Sequence, residues 1–280
     1  MTAMLRGEIS VFEGSAWVTM PAPVPAAATW PNYGTALEVT SQTYIKLSRL
    51  VYLTRKAELS PGDEGCQVEA VDLAAALFDN DLGWWVEQLQ TSQAVQLVPS
   101  VHAEPGSQLT YSFNFESSRL YHILAKYWAG RVVLCGCIQR LGTLPPTTRT
   151  FSSLNFSAAQ EKDVENAHNV AMCFGYISQL EDPIPFAYMW QRLMLRTVFG
   201  AWHRLEEREM GMGLHSHITS GAGTASPTDM KAWCLSTLNN LETQMSHQLS
   251  TEDELVRMAT CLSGGAICEP APVGISTHYF

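Results

Sequence analysis

Basic residues are scarce in this chain, and so is charge in general. Lysine and arginine together number 17 against 27 aspartates and glutamates, and charged residues make up 16% of the 280. A net charge of −10 argues against a nucleic-acid partner, because gripping a phosphate backbone needs a basic surface. A hydrophobic content of 46% excludes an intrinsically disordered chain. We therefore predict a folded protein with extensive apolar interior surface.

Long apolar runs and export signals are also missing. No stretch approaches the roughly 20 apolar residues of a membrane span, and residues 1–6 lack the apolar run of a signal peptide. The seven cysteines are odd in number and contain no Cys-x-x-Cys pair, which favours reduced thiols. Cys135 and Cys137 are two apart and point to different sides of a helix, so they are expected to be buried rather than to bind zinc. We predict a cytoplasmic chain.

Strand signals are nearly absent, whereas helical periodicity is common. Residues 95–101 and 147–151 are too short or too polar to build a sheet. Apolar residues recur at helical spacing in residues 35–58, 68–89, 116–141, 157–180, 186–210, 228–249 and 251–262. Ser157 followed by Gln160 matches a capping box at the start of one of these helices. The pattern predicts an all-α, bundle-like domain of about seven helices.

The ends of the chain and one internal segment lack this periodicity. Residues 1–34 contain four closely spaced prolines and are predicted to be an irregular segment that packs on the helical domain, residues 35–263. Residues 211–227 are rich in glycine, serine and threonine, which indicates a flexible loop. Residues 264–280 are expected to form an irregular tail.

Familiar catalytic motifs are missing as well. The chain has no His-Glu-x-x-His helix, no Walker loop and no Gly-x-Ser-x-Gly elbow. Asp79 and Asp81 form an acidic cluster without a matching second one, which argues against magnesium–diphosphate chemistry. His215 and His217 lie in the glycine-rich loop and are expected to be exposed to solvent. We predict no metal and no cofactor.

Aromatic and thioether side chains are the feature that stands out. On the predicted helices, the candidate substrate-binding residues are Trp84, Trp85, Tyr121, Tyr127, Trp128, Met172, Trp190 and Met194. These residue types suit ordinary core packing, and they equally suit an apolar ligand cavity with a few orienting polar groups. The sequence leaves both interpretations open.

Polar residues within these apolar stretches are the candidate catalytic groups. They are His122, Arg131, His168, Tyr176 and Arg196. Each could donate a hydrogen bond that polarises a carbonyl oxygen of a substrate. The alternative is structural, because helical histidines are usually core or rim residues and arginines more commonly form structural salt bridges.

Several segments together resemble a known family. The likeness is carried by residues 9–21 with Phe12 and Trp17, residues 82–89, residues 115–141 with Tyr127 and Trp128, and residues 166–196. In order and spacing they are similar to the C-terminal helical regulatory domain of fungal zinc-cluster transcription factors. The family's N-terminal zinc cluster and basic helix have no counterpart here, since the first cysteine is Cys66. The resemblance implies a helical, ligand-binding domain without the DNA-binding part.

Three functions are compatible with these features. Our leading hypothesis is that the chain binds a hydrophobic fungal secondary metabolite, a terpenoid or polyketide, and acts as a cofactor-independent cyclase or isomerase of the pericyclase or Diels–Alderase kind. Such catalysis needs a shaped pocket that holds the substrate near its reactive conformation. The alternatives are a regulatory, ligand-sensing domain and a passive carrier. The sequence leaves the substrate and the formation of a homodimer open.

Overall fold

A computed structural model describes residues 2–6, 8–10, 13, 33–100, 109–145, 154–177, 185–211 and 225–267. The predicted all-α fold is confirmed, because these residues are mainly helical and contain one small sheet. Part of the predicted loop, including His215 and His217, lies outside the described residues. Residues 147–151, for which no sheet strand was expected, and the tail from residue 268 onward also lie outside them.

The elements follow one another along the chain as short and long helices interrupted by a hairpin. Their bounds are α1 Thr2–Arg6, α2 Tyr33–Leu59, α3 Glu64–Asp79, α4 Gly83–Thr91, β1 Val95–Pro99, β2 Tyr111–Phe115, α5 Ser118–Leu141, α6 Phe156–Met172, α7 Phe174–Ile177, α8 Pro185–Gly211, α9 Pro227–Gln244 and α10 Glu252–Leu262. Helix α1 falls within the segment predicted to be irregular, and its Met4 is fully buried.

Helix α5 is the centre of the fold. It is buried at 18 of its 24 residues, because apolar side chains occur all around it rather than along one stripe. The side chain of Ser117 caps its start by accepting a hydrogen bond from the backbone N–H of Leu120 at 3.2 Å. Helices α2, α3, α6 and α8 pack around it.

Two clusters of buried side chains lie at the two ends of α5. Its N-terminal half packs with α4, the hairpin, the end of α6, α8 and α9. Its C-terminal half packs with α1, α2, α3 and the start of α6. One long central helix therefore joins two regions of core, and the surfaces at its two ends have different surroundings.

The hairpin corrects the expectation that residues 95–101 form no strand. Strand β1 pairs antiparallel with β2, with Val95 opposite Phe115 and Pro99 opposite Tyr111. An isolated two-stranded hairpin is marginal in water, so it needs packing against another element. Phe113 and Phe115 supply that packing by burying their rings against α5.

Two predicted helices differ from the observed ones. The segment 68–89 is two helices, because the chain turns at residues 80–82 and the side chain of Asp81 accepts a hydrogen bond from the N–H of Gly83 at 3.0 Å. The predicted capping box at Ser157 is wrong. The cap is Asn155, whose side chain accepts from the N–H of Ala158 at 3.0 Å.

Two further helices end at an earlier residue than the sequence predicts. The segment 157–180 forms α6, which ends at Met172, and after Cys173 the short α7 follows. Helix α9 ends at Gln244 rather than at 249, and Ser246 after it has a positive φ of 53°. Both stops depend on local turns, which helical periodicity alone does not reveal.

The thiol prediction is confirmed for the six cysteines in the described part of the chain, which are free and buried. Among the described residues, no helix combines the length and apolar character that crossing a bilayer requires. The same residues hold no group of three or more His, Cys, Asp or Glu side chains placed to bind a metal ion.

Candidate functional site

The predicted aromatic residues come together as a packed core. Trp85, Tyr121, Trp128, Met172 and Met194 are buried in the cluster at the N-terminal half of α5. Trp84, Tyr176 and Trp190 are half-buried against the same cluster. The rings fill the space beside one another, as the core interpretation of these residues predicted.

Ring contacts show how the hairpin completes this cluster. Phe113 stacks on Trp128 with centroids 5.3 Å apart, and Phe115 meets the edges of Tyr121 and Tyr176 at 5.6 and 5.1 Å. Sequence reasoning missed both phenylalanines. The signal that could have found them is the alternation of residues 111–115, where every second side chain is aromatic.

Arg131 and Tyr127 hold the connection between α3 and α4. The guanidinium of Arg131 is buried and donates to the backbone carbonyls of Leu77 and Phe78, each at 3.0 Å. The phenol of Tyr127 donates to a carboxylate oxygen of Asp81 and accepts from the N–H of Leu82. Both residues therefore have structural partners, and Asp81 of the acidic cluster is engaged by protein groups.

Arg196 makes the salt bridge that its structural interpretation predicted. Its guanidinium lies 3.0 Å from the buried carboxylate of Glu242, which also receives Arg192 at 3.1 Å. The hydroxyl of Ser250 donates to the same carboxylate. The group joins α8, α9 and the residues before α10.

The two candidate histidines carry depressed pKa values. Burial lowers the pKa of His168 on α6. Burial, and then the charge of Lys126, lowers the pKa of His122, whose ring lies against Tyr121 with centroids 5.0 Å apart. Both shifts favour the neutral imidazole near pH 7.

A large cavity lies elsewhere. It is an interhelical groove of about 450 Å³ between α5, α6, α8 and α10. The described lining residues are Gly136, Gln139, Arg140, Thr143, Gln160, Gly200, His203, Arg204, Glu207, Arg208, Val256, Ala259, Thr260 and Ser263. No candidate site residue predicted from the sequence is among them. Since Gly136 is eight residues after Trp128, the groove begins about 12 Å along α5 from the aromatic cluster.

Two glycines of the groove leave room for the neighbouring helix α10 and for Arg204. A Cβ atom on Gly200 would lie 2.8 Å from the Cβ of Ala259, so α8 and α10 approach closely there. A Cβ atom on Gly136 would lie 3.0 Å from a terminal nitrogen of Arg204. The absence of these two side chains lets the guanidinium of Arg204 pass between the helices.

Arg204 is locked inside the groove by Asp163. The fully buried carboxylate of Asp163 accepts two hydrogen bonds from the guanidinium, at 2.8 and 2.9 Å, and one from the amide of Gln139 at 2.7 Å. Burial alone would lower the pKa of Arg204, but the carboxylate of Asp163 outweighs it and raises that pKa. The paired and bidentate geometry is that of a strong ion pair.

The other charged lining residues differ in their pairing. Arg140 lies 2.8 Å from the carboxylate of Glu58. Arg208 donates from Nε to the backbone carbonyl of Arg204 at 3.3 Å. His203 lies 3.5 Å from the carboxylate of Glu207 through Nε2. Chemically, the groove offers guanidinium N–H donors and one imidazole beside an apolar wall.

Sequence reasoning missed the groove although its polar faces leave a trace. Residues 200, 203, 204, 207 and 208 are three or four apart and share one face of α8, and residues 136, 139, 140 and 143 do the same on α5 and the turn that follows it. Helical spacing could have identified each face. It could not show that the two faces meet.

Comparison of the chain with protein-family models, curated proteins and solved structures finds no match. The resemblance to the regulatory domain of fungal zinc-cluster transcription factors therefore stays a prediction.

Proposed function

We propose that the chain binds a small organic ligand in the interhelical groove. The observation that supports this is the volume of about 450 Å³, since ligand sites typically occupy about 300–1,000 Å³. Val256 and Ala259 of α10 provide an apolar wall, and guanidinium groups from α5 and α8 provide donors. Such a site suits a ligand with an apolar body and a few polar groups, as many secondary metabolites have.

The proposed ligand is a terpenoid or polyketide, and the proposed reaction is its cofactor-independent cyclisation or isomerisation. Arg140 and Arg208 carry N–H donors that would polarise a carbonyl oxygen of the ligand. The imidazole of His203 lies in the same wall and is the proposed proton donor or acceptor. These three residues replace the five catalytic candidates chosen from the sequence, which do not line the groove.

Ligand sensing without turnover is the second candidate. The lining residues come from four helices, so a bound molecule would link α10 to α5, α6 and α8. A ligand that bridges helices favours the arrangement in which all of them contact it. This is the behaviour expected of a regulatory domain.

Native mass spectrometry of the chain purified from its source, followed by extraction of any bound compound, tests the proposal. Thr143→Trp places an indole at the exposed rim of the groove, and Arg257→Trp places the same group on the exposed face of α10 as a control. We expect the bound mass to disappear in the Thr143 variant and to persist in the control. Equal retention in both variants would show that the ligand binds elsewhere.

Incubation with the precursor of the extracted compound separates the two candidates. Product formation by the unaltered chain, blocked in Thr143→Trp and retained in Arg257→Trp, supports the cyclase or isomerase. Binding of the precursor without product supports the sensor. Circular dichroism spectra and unfolding midpoints of the variants establish that each is folded.

A further inference from the structure

We propose that the groove recognises a ligand with one carboxylate and an apolar body, and that Arg208 is the residue that binds the carboxylate. This inference rests on the proposed function, because it names the class of ligand for the same groove.

The positive charges of the groove are not equivalent. Arg204 is neutralised by the buried carboxylate of Asp163, with contacts of 2.8 and 2.9 Å. Arg140 is neutralised by Glu58 at 2.8 Å. Two of the three arginines among the described lining residues thus have their own carboxylates, and each is held in place by its ion pair.

Arg208 differs from both. Its described hydrogen bond goes to a neutral group, the backbone carbonyl of Arg204 at 3.3 Å, and no carboxylate in the described part of the chain lies within 4.0 Å of its guanidinium. Burial lowers its pKa, and the charge of Arg204 acts in the same direction, although the more distant carboxylates of Asp163 and Glu209 act in the opposite one. A partly desolvated cation without a counter-ion costs free energy, which a bound anion would offset.

Of the two carboxylates that flank Arg208 in sequence, Glu207 is the one among the groove-lining residues, and its position leaves Arg208 available. Its side chain is 65% exposed, and its nearest ion-pair contact is the imidazole of His203 at 3.5 Å. An exposed pair of this kind is weak because water competes for both groups. Glu207 therefore does not take the place of an anionic ligand.

The chemistry of the site selects a carboxylate with an apolar body. A guanidinium presents parallel N–H groups that match the two oxygens of a carboxylate. Across the groove, Val256 and Ala259 provide apolar surface that a fully hydrated inorganic anion does not use. One unneutralised cation corresponds to one negative charge on the ligand.

Isothermal titration calorimetry with decanoate, decan-1-ol and inorganic phosphate tests this inference. The variants are Arg208→Gln, Arg208→Lys and the control Arg257→Gln, whose arginine is exposed on α10 away from the groove. We expect Arg208→Gln to weaken decanoate binding about tenfold to a hundredfold, as loss of a charge-assisted hydrogen bond does. The affinity of Arg208→Lys for decanoate should lie between those of Arg208→Gln and the unaltered chain. The control should bind decanoate as tightly as the unaltered chain does.

Three results would overturn the inference. Decanoate that binds equally to Arg208→Gln and the unaltered chain would exclude Arg208 as the anchor. If decan-1-ol binds as tightly as decanoate, the groove binds small molecules whether or not they carry a charge. That result overturns the inference about Arg208 but leaves the proposed function intact. Phosphate binding without decanoate binding would assign Arg208 to an inorganic anion. A separate measurement tests the proposed function itself. That function fails if Thr143→Trp still retains the extracted compound.

Discussion

The phenol of Tyr127 donates a hydrogen bond to the carboxylate of Asp81 and so joins the middle of α5 to the turn between α3 and α4. The same oxygen of Tyr127 accepts from the N–H of Leu82 at 3.3 Å. The two bonds explain why the predicted single helix breaks at this point. Side chains on a third helix satisfy the backbone and side-chain groups that the break exposes.

Tyr127→Phe should therefore destabilise the fold. It removes both bonds and leaves the buried N–H of Leu82 without its partner, at an expected cost of about 1–3 kcal/mol. Urea unfolding followed by circular dichroism measures the change. Tyr52→Phe is the control, because Tyr52 is half-buried and its hydroxyl has no hydrogen bond to a described residue. A loss no larger than that of the control would contradict the role given to Tyr127.

Glu242→Gln should lower the free energy of unfolding by more than Tyr127→Phe does. The carboxylate is 1% exposed and is shared by Arg192 and Arg196, so the amide would leave two guanidinium groups facing each other without a counter-ion. Breaking a buried ion pair from one side costs about 3–5 kcal/mol. The matched control is Glu207→Gln at an exposed position, for which we expect less than about 1 kcal/mol. Similar unfolding free energies for the two variants would refute this assignment.

Gly200→Ala tests the close approach of α8 and α10 beside the groove. The new Cβ would lie 2.8 Å from the Cβ of Ala259, so the helices must separate, at an expected cost of about 1–3 kcal/mol. Adding Ala259→Gly should restore part of the stability, because it removes the opposing methyl group. Gly211→Ala, which meets no atom within 4 Å, is the control. If the double variant is no more stable than Gly200→Ala, the contact is not the cause.

Acid should weaken the fold through the half-buried imidazole of His168. Its pKa is lowered by burial, so the folded state binds fewer protons than the unfolded state. The stability that this difference in proton binding provides is present in full above the pKa of an unfolded histidine, about 6.5. It is lost as the pH falls from there through the lower pKa of the folded state. Melting temperatures between pH 8 and pH 5 should fall less steeply in His168→Gln than in His247→Gln, an exposed position. Parallel curves would contradict this explanation.

Buried thiols should resist labelling in the native state. Burial raises the pKa of Cys137 to about 12, and the other described cysteines are buried as well. Since only the thiolate reacts, a chain carrying Cys268→Ser should show no labelling by a disulfide reagent at pH 8 until it unfolds. The labelling rate should follow the population of unfolded chain as urea is added. Fast labelling of one thiol in native buffer would show that a described cysteine is accessible.

Most of the helical fold could be predicted from the sequence, and the polar site could not. The segment 116–141 was placed within two residues of α5, because its apolar side chains occur at helical spacing over many turns. The aromatic residues were correctly grouped on helices, but grouping does not distinguish a packed core from a cavity. That distinction depends on which rings fill the space next to one another, as Phe113 does beside Trp128.

The sequence by itself determined the all-α class, the burial of the thiols and the apolar character of α5, because these follow from composition and from the spacing of residues along one segment. Only the tertiary structure decided that Arg204 reaches Asp163 from another helix and that Arg208 forms no such ion pair with a described residue. It also decided where the groove lies, since two polar helix faces and two glycines from distant segments form it together. Local periodicity shows which face of a helix is polar, but it does not contain the packing that brings one face against another.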